Sequence, residues 1–305
     1  MSLLVVGSLG LDTVATPFNK VEDALGGSST YISLSASYFS APIHIIGVVG
    51  EDFPKNYLQM MESHNINLEG LQIVKGGKTF RWSGKYHYDL NSRDTLLTEL
   101  NVFEKFNPVI PPALRQSKYI CLGNIDPELQ LKVLDQIENP YFVVCDTMNY
   151  WIERKRDALV KVLKRTDVLI INDSEARLFA HEPNLIKAAK FIRELGVKIL
   201  IIKKGEHGAL LFGEDMIFSS PAYPLEMIQD PTGAGDSFAG GFVGYIHKAQ
   251  DISPDCLKRA VVYGSTMASF CVEQFSTKGL ENLSYLRIQD RFRDFLTMSR
   301  FNDSE

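Results

Sequence analysis

The chain of 305 residues lacks the marks of several protein classes. Its four cysteines, Cys121, Cys145, Cys256 and Cys271, show no C-x-x-C spacing, and three of them lie in apolar runs. Buried thiols in a reducing cytoplasm are therefore expected, and a disulfide framework is not. The six histidines, His44, His64, His87, His181, His207 and His247, are scattered without a ligand spacing, so no structural metal site is implied. Lysine and arginine form no stripe and the net charge is −5, which argues against a nucleic-acid surface. Small anionic ligands remain open, because they need local donors only. Neither a charged-then-apolar leader nor an apolar run of about 18 residues is present, so export and membrane spanning are not expected. Internal repeats, low-complexity tracts and Pro/Ser-rich linkers are missing too, and no G-x-G-x-x-G follows the first strand, which leaves a dinucleotide-binding fold unsupported.

What is present is a strand–helix rhythm. With 45% hydrophobic residues the chain can bury a large core, and its length allows one or two domains. Leu3–Gly7, Ile43–Gly50, Tyr119–Gly123, Tyr141–Asp146, Asp167–Ile171 and Ile199–Ile202 are short continuous apolar runs, the pattern of strands buried on both faces. Helical patterns separate them: one opened by Pro54 and running to about Ser63, then Leu129–Ile137 and Asp157–Lys164. Helices about Leu257–Glu273 and Leu286–Met298 close the chain. The expected fold is α/β, a doubly wound, mainly parallel sheet with helices on both faces, whose ligands bind at the carboxyl ends of the strands.

One segment breaks the rhythm. From about Val74 to Phe103, Phe80, Trp82, Gly84, Tyr86, Tyr88 and Leu90 alternate with Arg81, Ser83, Lys85, His87 and Asp89, which puts the aromatics on one face of a half-exposed sheet. The chain thus reads as a single domain, 1–305, with residues 74–103 as the main part of an inserted β element. Gly76-Gly77-Lys78-Thr79 inside it imitates the end of a P-loop. Position 72 is Gln where the first glycine should stand, and a strand follows instead of a helix, so a Walker site is rejected.

Asp230-Pro231-Thr232-Gly233-Ala234-Gly235-Asp236-Ser237-Phe238, with Ala239-Gly240-Gly241 behind it, describes a loop that becomes a helix within one turn. Free N–H groups at a helix start, a favourable dipole and glycines without a Cβ make an anion site. Asp236 in that first turn is either a helix cap or a base taking a proton from an attacking hydroxyl.

This stretch closely resembles the C-terminal signature Asp-Thr-x-Gly-Ala-Gly-Asp of the ribokinase family, the phosphofructokinase-B (PfkB) type of sugar and nucleoside kinases, with Pro231 in place of Thr. The resemblance implies a ribokinase-like fold with a small β-sheet lid. It makes Asp236 the general base, and the amides of Gly233, Ala234 and Gly235 the anion hole for the transferred phosphoryl group, with Thr232 beside the nucleotide. Asp12 matches the family's substrate-binding Asp, and Gly26-Gly27 its sugar-pocket glycines, although Tyr31 stands where Asn is usual. Gly50-Glu51-Asp52 resembles the Gly-x-Asp after the next strand. Asn172-Asp173-Ser174-Glu175 resembles Asn-x-x-Glu, whose Asn and Glu organise phosphate and Mg²⁺, the latter through water; read alone it is a helix-capping pattern. Lys203-Lys204-Gly205 is similar to the loop beside the nucleotide phosphates, where Lys203 and Gly205 are the candidates, the alternative being solvated lysines closing a strand. The small-residue helix containing Ser265 resembles the one that flanks adenine. Gln274-Phe275-Ser276 replaces the basic-Gly turn that helps build a monovalent-cation site, which weakens the case for K⁺.

The activity so implied is Mg²⁺- and ATP-dependent phosphorylation of a hydroxyl on a small substrate, a ribose- or fructose-like sugar being favoured over a nucleoside on family prevalence. A non-catalytic nucleotide or sugar sensor is the reading from another class, and Asp236 speaks against it. A lid of this kind also implies a homodimer contact.

Overall fold

The computed structural model describes residues 2–300. In chain order its strands are β1 Leu3–Val6, β2 Gly10–Ala15, β3 Lys20–Gly26, β4 Ile43–Gly50, β5 Ile66–Val74, β6 Phe80–Tyr86, β7 Arg93–Glu99, β8 Tyr119–Leu122, β9 Phe142–Asp146, β10 Val168–Asn172, β11 Ile199–Lys203, β12 Ala209–Phe212 and β13 Ile217–Ser220. Nine of them form one sheet in the order β13-β12-β11-β10-β9-β8-β1-β4-β5, parallel from β11 to β5 and closed at the other end by two antiparallel strands.

The continuous apolar runs follow from burial on both faces. Leu3 and Val5 of β1 enter one core while Leu4 and Val6 enter the other, and Val144 against Val143 and Cys145, or Ile170 against Leu169 and Ile171, divide the same way. Helices Ser28–Ser37, Ala234–Ala249 and Pro254–Cys271 cover the first face. Helices Pro127–Leu134, Arg156–Leu163, Asp173–Ala180 and Leu185–Glu194 cover the second. All four cysteines are free thiols and all are buried, including Cys256, which sits outside any obvious apolar run.

Small residues set how two central helices meet. A Cβ on Gly240 would stand 2.3 Å from the Ile32 carbonyl oxygen, and one on Gly244 2.8 Å from the Ala36 Cα, so the helices 28–37 and 234–249 approach backbone to backbone. Ser35 Oγ donates to the Ser237 carbonyl across that contact at 2.6 Å. The start of the second helix is thereby held against the last turn of the first.

The remaining strands form a four-stranded sheet in the order β3-β2-β6-β7. Here the expected boundaries need correction. Half of this sheet comes from residues 10–26, outside the expected bounds 74–103, while Val74 ends a strand of the large sheet and Tyr88 lies beyond β6 in a hairpin turn. The cause is non-local: β2, with glycine at its start and Asp12-Thr13 in its middle, has neither a continuous apolar run nor a clean alternation, and it becomes a strand by pairing in parallel with β6, Gly10 opposite Phe80 through Ala15 opposite Lys85. The imitation P-loop is the turn joining β5 to β6, where buried Thr79 is bound by Asp52 (Oγ1 to Oδ1, 2.7 Å).

Candidate active site

The carboxyl ends of β1, β9, β10 and β11 point to one edge of the large sheet, and the small sheet stands over that edge. The chain leaves β1 there to enter β2, and the order of strands reverses on either side of β1.

The loop 230–236 is shaped by its own first residue. Asp230 is buried and accepts from the Thr232 N–H (2.9 Å) and the Ser276 N–H (3.1 Å), so one carboxylate pins the loop to the turn at 276. Burial pushes its pKa up, against those hydrogen bonds. Gly233 caps the helix with φ +77, and a Cβ on it would lie 2.3 Å from the Tyr31 ring. Glycine is required there twice over, by conformation and by space. The Ala234 N–H turns back to the Pro231 carbonyl at 3.2 Å, so the expectation of three free amides narrows to Gly233 and Gly235.

Lys203 corrects the solvated-lysine reading. It ends β11 with its side chain largely buried, its Nζ lies 3.7 Å from Asp146 Oδ2, and a Cβ on Gly235 would stand 2.7 Å from that Nζ. Burial disfavours its charge, yet the carboxylates of Asp146, Glu175 and Asp236 outweigh burial and raise its pKa. Gly205, two residues on, takes φ +53 in the turn after β11, next to Asn91 of the small sheet's hairpin.

Asp236 lies in the first helical turn. Burial raises its pKa to about 7, aided by the Asp146 and Glu175 carboxylates and opposed by Lys203 and Arg93. Asn172 and Glu175 form a complete capping box: the Asn172 side chain accepts from the Glu175 N–H and the Glu175 carboxylate from the Asn172 N–H, both at 2.8 Å. The capping pattern is thus real, and it also fixes Glu175 in the cluster, where burial lifts its pKa to about 7. Asp146 at the end of β9 is raised by burial, with Lys203 opposing.

The residues expected on the substrate side come from the other direction. Asp12 on β2 is 6% exposed, with its carboxylate where a Gly26 Cβ would be. Burial pushes it to about 7, with Asp230 and Asp236 next in effect. Gly27, φ +94, caps the helix 28–37. The Tyr31 phenol, buried and raised well above its ordinary value first by burial, lies in the field of Asp12, Asp230 and Asp236. Its ring against Gly233 joins the two glycine loops. On the small sheet, Tyr86 OH meets Thr232 Oγ1 at 3.3 Å.

The structure therefore brings Asp12, Gly26, Gly27, Asn172, Glu175, Lys203, Thr232, Gly233, Ala234, Gly235 and Asp236 to one place, with Gly205 at its rim. The reading of the residues missed Asp146, Tyr86 and Arg93. Asp146 had a signal: an acid closing an apolar strand at its carboxyl end. Tyr86 had only its place on the aromatic face of the inserted sheet, and Arg93 had none, since only pairing of β6 with β7 sets it opposite Tyr86. Among the described residues no cluster of three or more His, Cys, Asp or Glu is placed to hold a metal directly. Asp146, Glu175 and the buried, unpartnered Thr147 Oγ1 suit a cation held through water. No helix of the described residues is long and apolar enough to cross a membrane.

A family model for pfkB family carbohydrate kinases matches residues 4–282. The chain is 32% identical over 251 residues to the cytidine kinase of Thermococcus kodakarensis, covering 80% of this chain and 88% of that one. It is 23% identical over 265 residues to a nucleoside kinase of Methanocaldococcus jannaschii, 81% and 79% of the two chains. Among solved structures, an E. coli protein assigned as ribokinase II, in complex with ATP and Mg²⁺, superposes with a TM-score of 0.79 at 18% identity, over 96% of this chain and 99% of that one.

Proposed function

This chain belongs to the pfkB family of carbohydrate kinases, and from that premise we propose that it is a nucleoside kinase. As a family member it is an ATP-dependent phosphotransferase with an alcohol acceptor. The observation that carries the nucleoside reading is the likeness to a cytidine kinase over four-fifths of the chain, with a second nucleoside kinase behind it. Family prevalence, which favoured a simple sugar, is the weaker guide.

In the proposed mechanism the acceptor oxygen bonds to the γ-phosphorus as the bond to the β,γ-bridging oxygen breaks, and ADP leaves with that electron pair. Asp236 takes the hydroxyl proton; a carboxylate raised to about 7 is a better acceptor than an ordinary one and is still about half ionised at neutral pH. The Gly233 and Gly235 amides and Lys203 face the transferred group. Asp12, beside Gly26, orients the acceptor's hydroxyls. Mg²⁺, when bound, neutralises phosphate charge; Glu175 and Asp146 are the residues that would hold it, through water. The small sheet, already in contact with Thr232, serves as a lid that excludes water.

The test is ADP release with Mg-ATP over cytidine, adenosine, inosine, ribose, deoxyribose and fructose, wild type beside Asp236→Asn. Nucleoside-dependent release by wild type alone is expected. Turnover with a free sugar and none with nucleosides would return the substrate to the carbohydrate class, and unaltered turnover by Asp236→Asn would remove it as base.

A further inference from the structure

The anion loop rests on the end of one helix. Helix Pro254–Cys271 stops beneath it, and the turn that follows is bonded to residues 229–232. The Val272 carbonyl accepts from the Gln229 N–H (2.8 Å) and the Asp230 N–H (3.3 Å). The Ser276 N–H donates to the Asp230 carboxylate at 3.1 Å. These contacts use the main chain of the turn. The remaining one uses a side chain of the helix end: Cys271 Sγ donates to the Thr232 carbonyl oxygen at 3.5 Å.

That bond falls on the one peptide of the loop that nothing else holds. On one side, the Thr232 N–H is bound by Asp230 and the Pro231 carbonyl by the Ala234 N–H. On the other, the Gly233 carbonyl accepts from the Ser237 N–H at 2.8 Å. Between them, the peptide made of the Thr232 carbonyl and the Gly233 N–H has the thiol as its partner, and its N–H bonds to no backbone group among the described residues. A trans peptide is planar, and its C=O and N–H point opposite ways. Drawing the carbonyl down onto the helix end therefore turns the Gly233 N–H up and away from that helix.

The thiol is suited to this and to little else. Cys271 has 0% exposure, which leaves it no access to a reagent. Burial pushes its pKa up to about 12, Ser237 opposing and Asp230 and Asp236 adding to the rise, so it keeps its proton and donates at any working pH. The buried Ser237 Oγ beside it makes no hydrogen bond and does not take its place.

We propose that Cys271 is a positioning residue, its thiol holding the Thr232–Gly233 peptide so that the Gly233 N–H faces the transferred phosphoryl group. The inference deepens the kinase reading of the site and depends on no particular acceptor.

The experiment compares Cys271→Ala, Cys271→Val and Cys271→Ser with wild type. Alanine and valine lack a donor and bracket cysteine in size, whereas serine keeps one. With cytidine, kcat should fall about three- to tenfold for both Ala and Val, the worth of one modest hydrogen bond, with KM within about twofold. Ser should recover most of that loss. Calorimetry without any acceptor should rank the variants the same way for Mg-ADP with aluminium fluoride, which mimics the phosphoryl group in transfer, while Mg-ADP alone stays within about twofold throughout. Wild-type behaviour of Ala and Val overturns the proposal. So does a ranking by size, in which Val works and Ser does not, because packing would then decide; this pair remains informative even where the Ala variant fails to fold. An equal loss of Mg-ADP affinity also overturns it. If wild type leaves cytidine and other nucleosides untouched, the nucleoside reading fails, while the fluoride complex still decides the role of Cys271.

Discussion

The two sheets of this molecule are built on opposite terms. Strands of the large sheet are sealed between two layers of helices and send successive residues into two separate cores. The small sheet has no helix layer, and every residue of β7 is exposed. The large sheet contributes to the site only from its strand ends: Asp146, Asn172 and Lys203. The small one contributes from its face: Asp12, Trp82, Tyr86 and Arg93. In the proposed mechanism a rigid scaffold fixes Asp146, Asn172 and Lys203, and a cover with little core of its own brings Asp12 and Tyr86 to them. The difference teaches that most of the buried core and the exposed face over the site belong to different parts of one chain.

The largest expected effect lies on the scaffold side. Asp236→Asn should lower kcat by about 10²–10⁴-fold while ATP affinity, read by calorimetry, stays near wild type. An equal loss of ATP binding would mean that the residue shapes the loop instead of serving the chemistry. Next comes a direct contrast in stability. Ile170→Ala, at a position with 0% exposure, should cost about 2–5 kcal/mol in urea unfolding. Leu97→Ala, 51% exposed on β7, should stay within about 0.5 kcal/mol. Comparable losses at both sites would erase the distinction between core and cover.

The pH profile is a smaller test. The base must be ionised, and Asp236 sits at about 7, so kcat should fall by about tenfold per pH unit well below 7 and level off above it. The sign follows from burial together with Asp146 and Glu175, which favour the protonated form over the opposition of Lys203 and Arg93. The smallest effect concerns Asp12 on the small sheet. Its folded pKa, about 7, exceeds the unfolded value, so the stability it adds is whole below pH 4 and lost as pH rises through 7. Asp12→Asn should therefore melt about 2–4 °C higher than wild type at pH 8, with no gain at pH 4, by calorimetric scanning without ligand. A deficit at both values would show that the carboxylate is needed for packing.

Much of the scaffold was legible because its strands are continuous apolar runs, a pattern that burial on both faces alone requires. The predicted strands at 119–123, 141–146 and 167–171 fall within one residue of those observed at each end. The anion loop was legible because glycine spacing is local chemistry: only glycine takes the φ of Gly233 beneath an aromatic ring. Strands β2 and β3 were not, since Asp12 and Gly26 look like turn residues until β6 pairs alongside. For Lys203 the residues left a phosphate-side candidate and a solvated lysine both open, because nothing nearby in sequence says that Asp146, Glu175 and Asp236 will surround it.

By itself, then, the sequence determined the alternating scaffold, the loop that opens on Gly233, and the identity of Asp236 as the acid within it. These depend on neighbours within a turn or a strand. The tertiary structure decided which charges meet. Residues 12, 93, 146, 175, 203 and 236 come from six different elements, and electrostatic shifts arise from distance and burial, quantities that exist only once the chain has closed on itself.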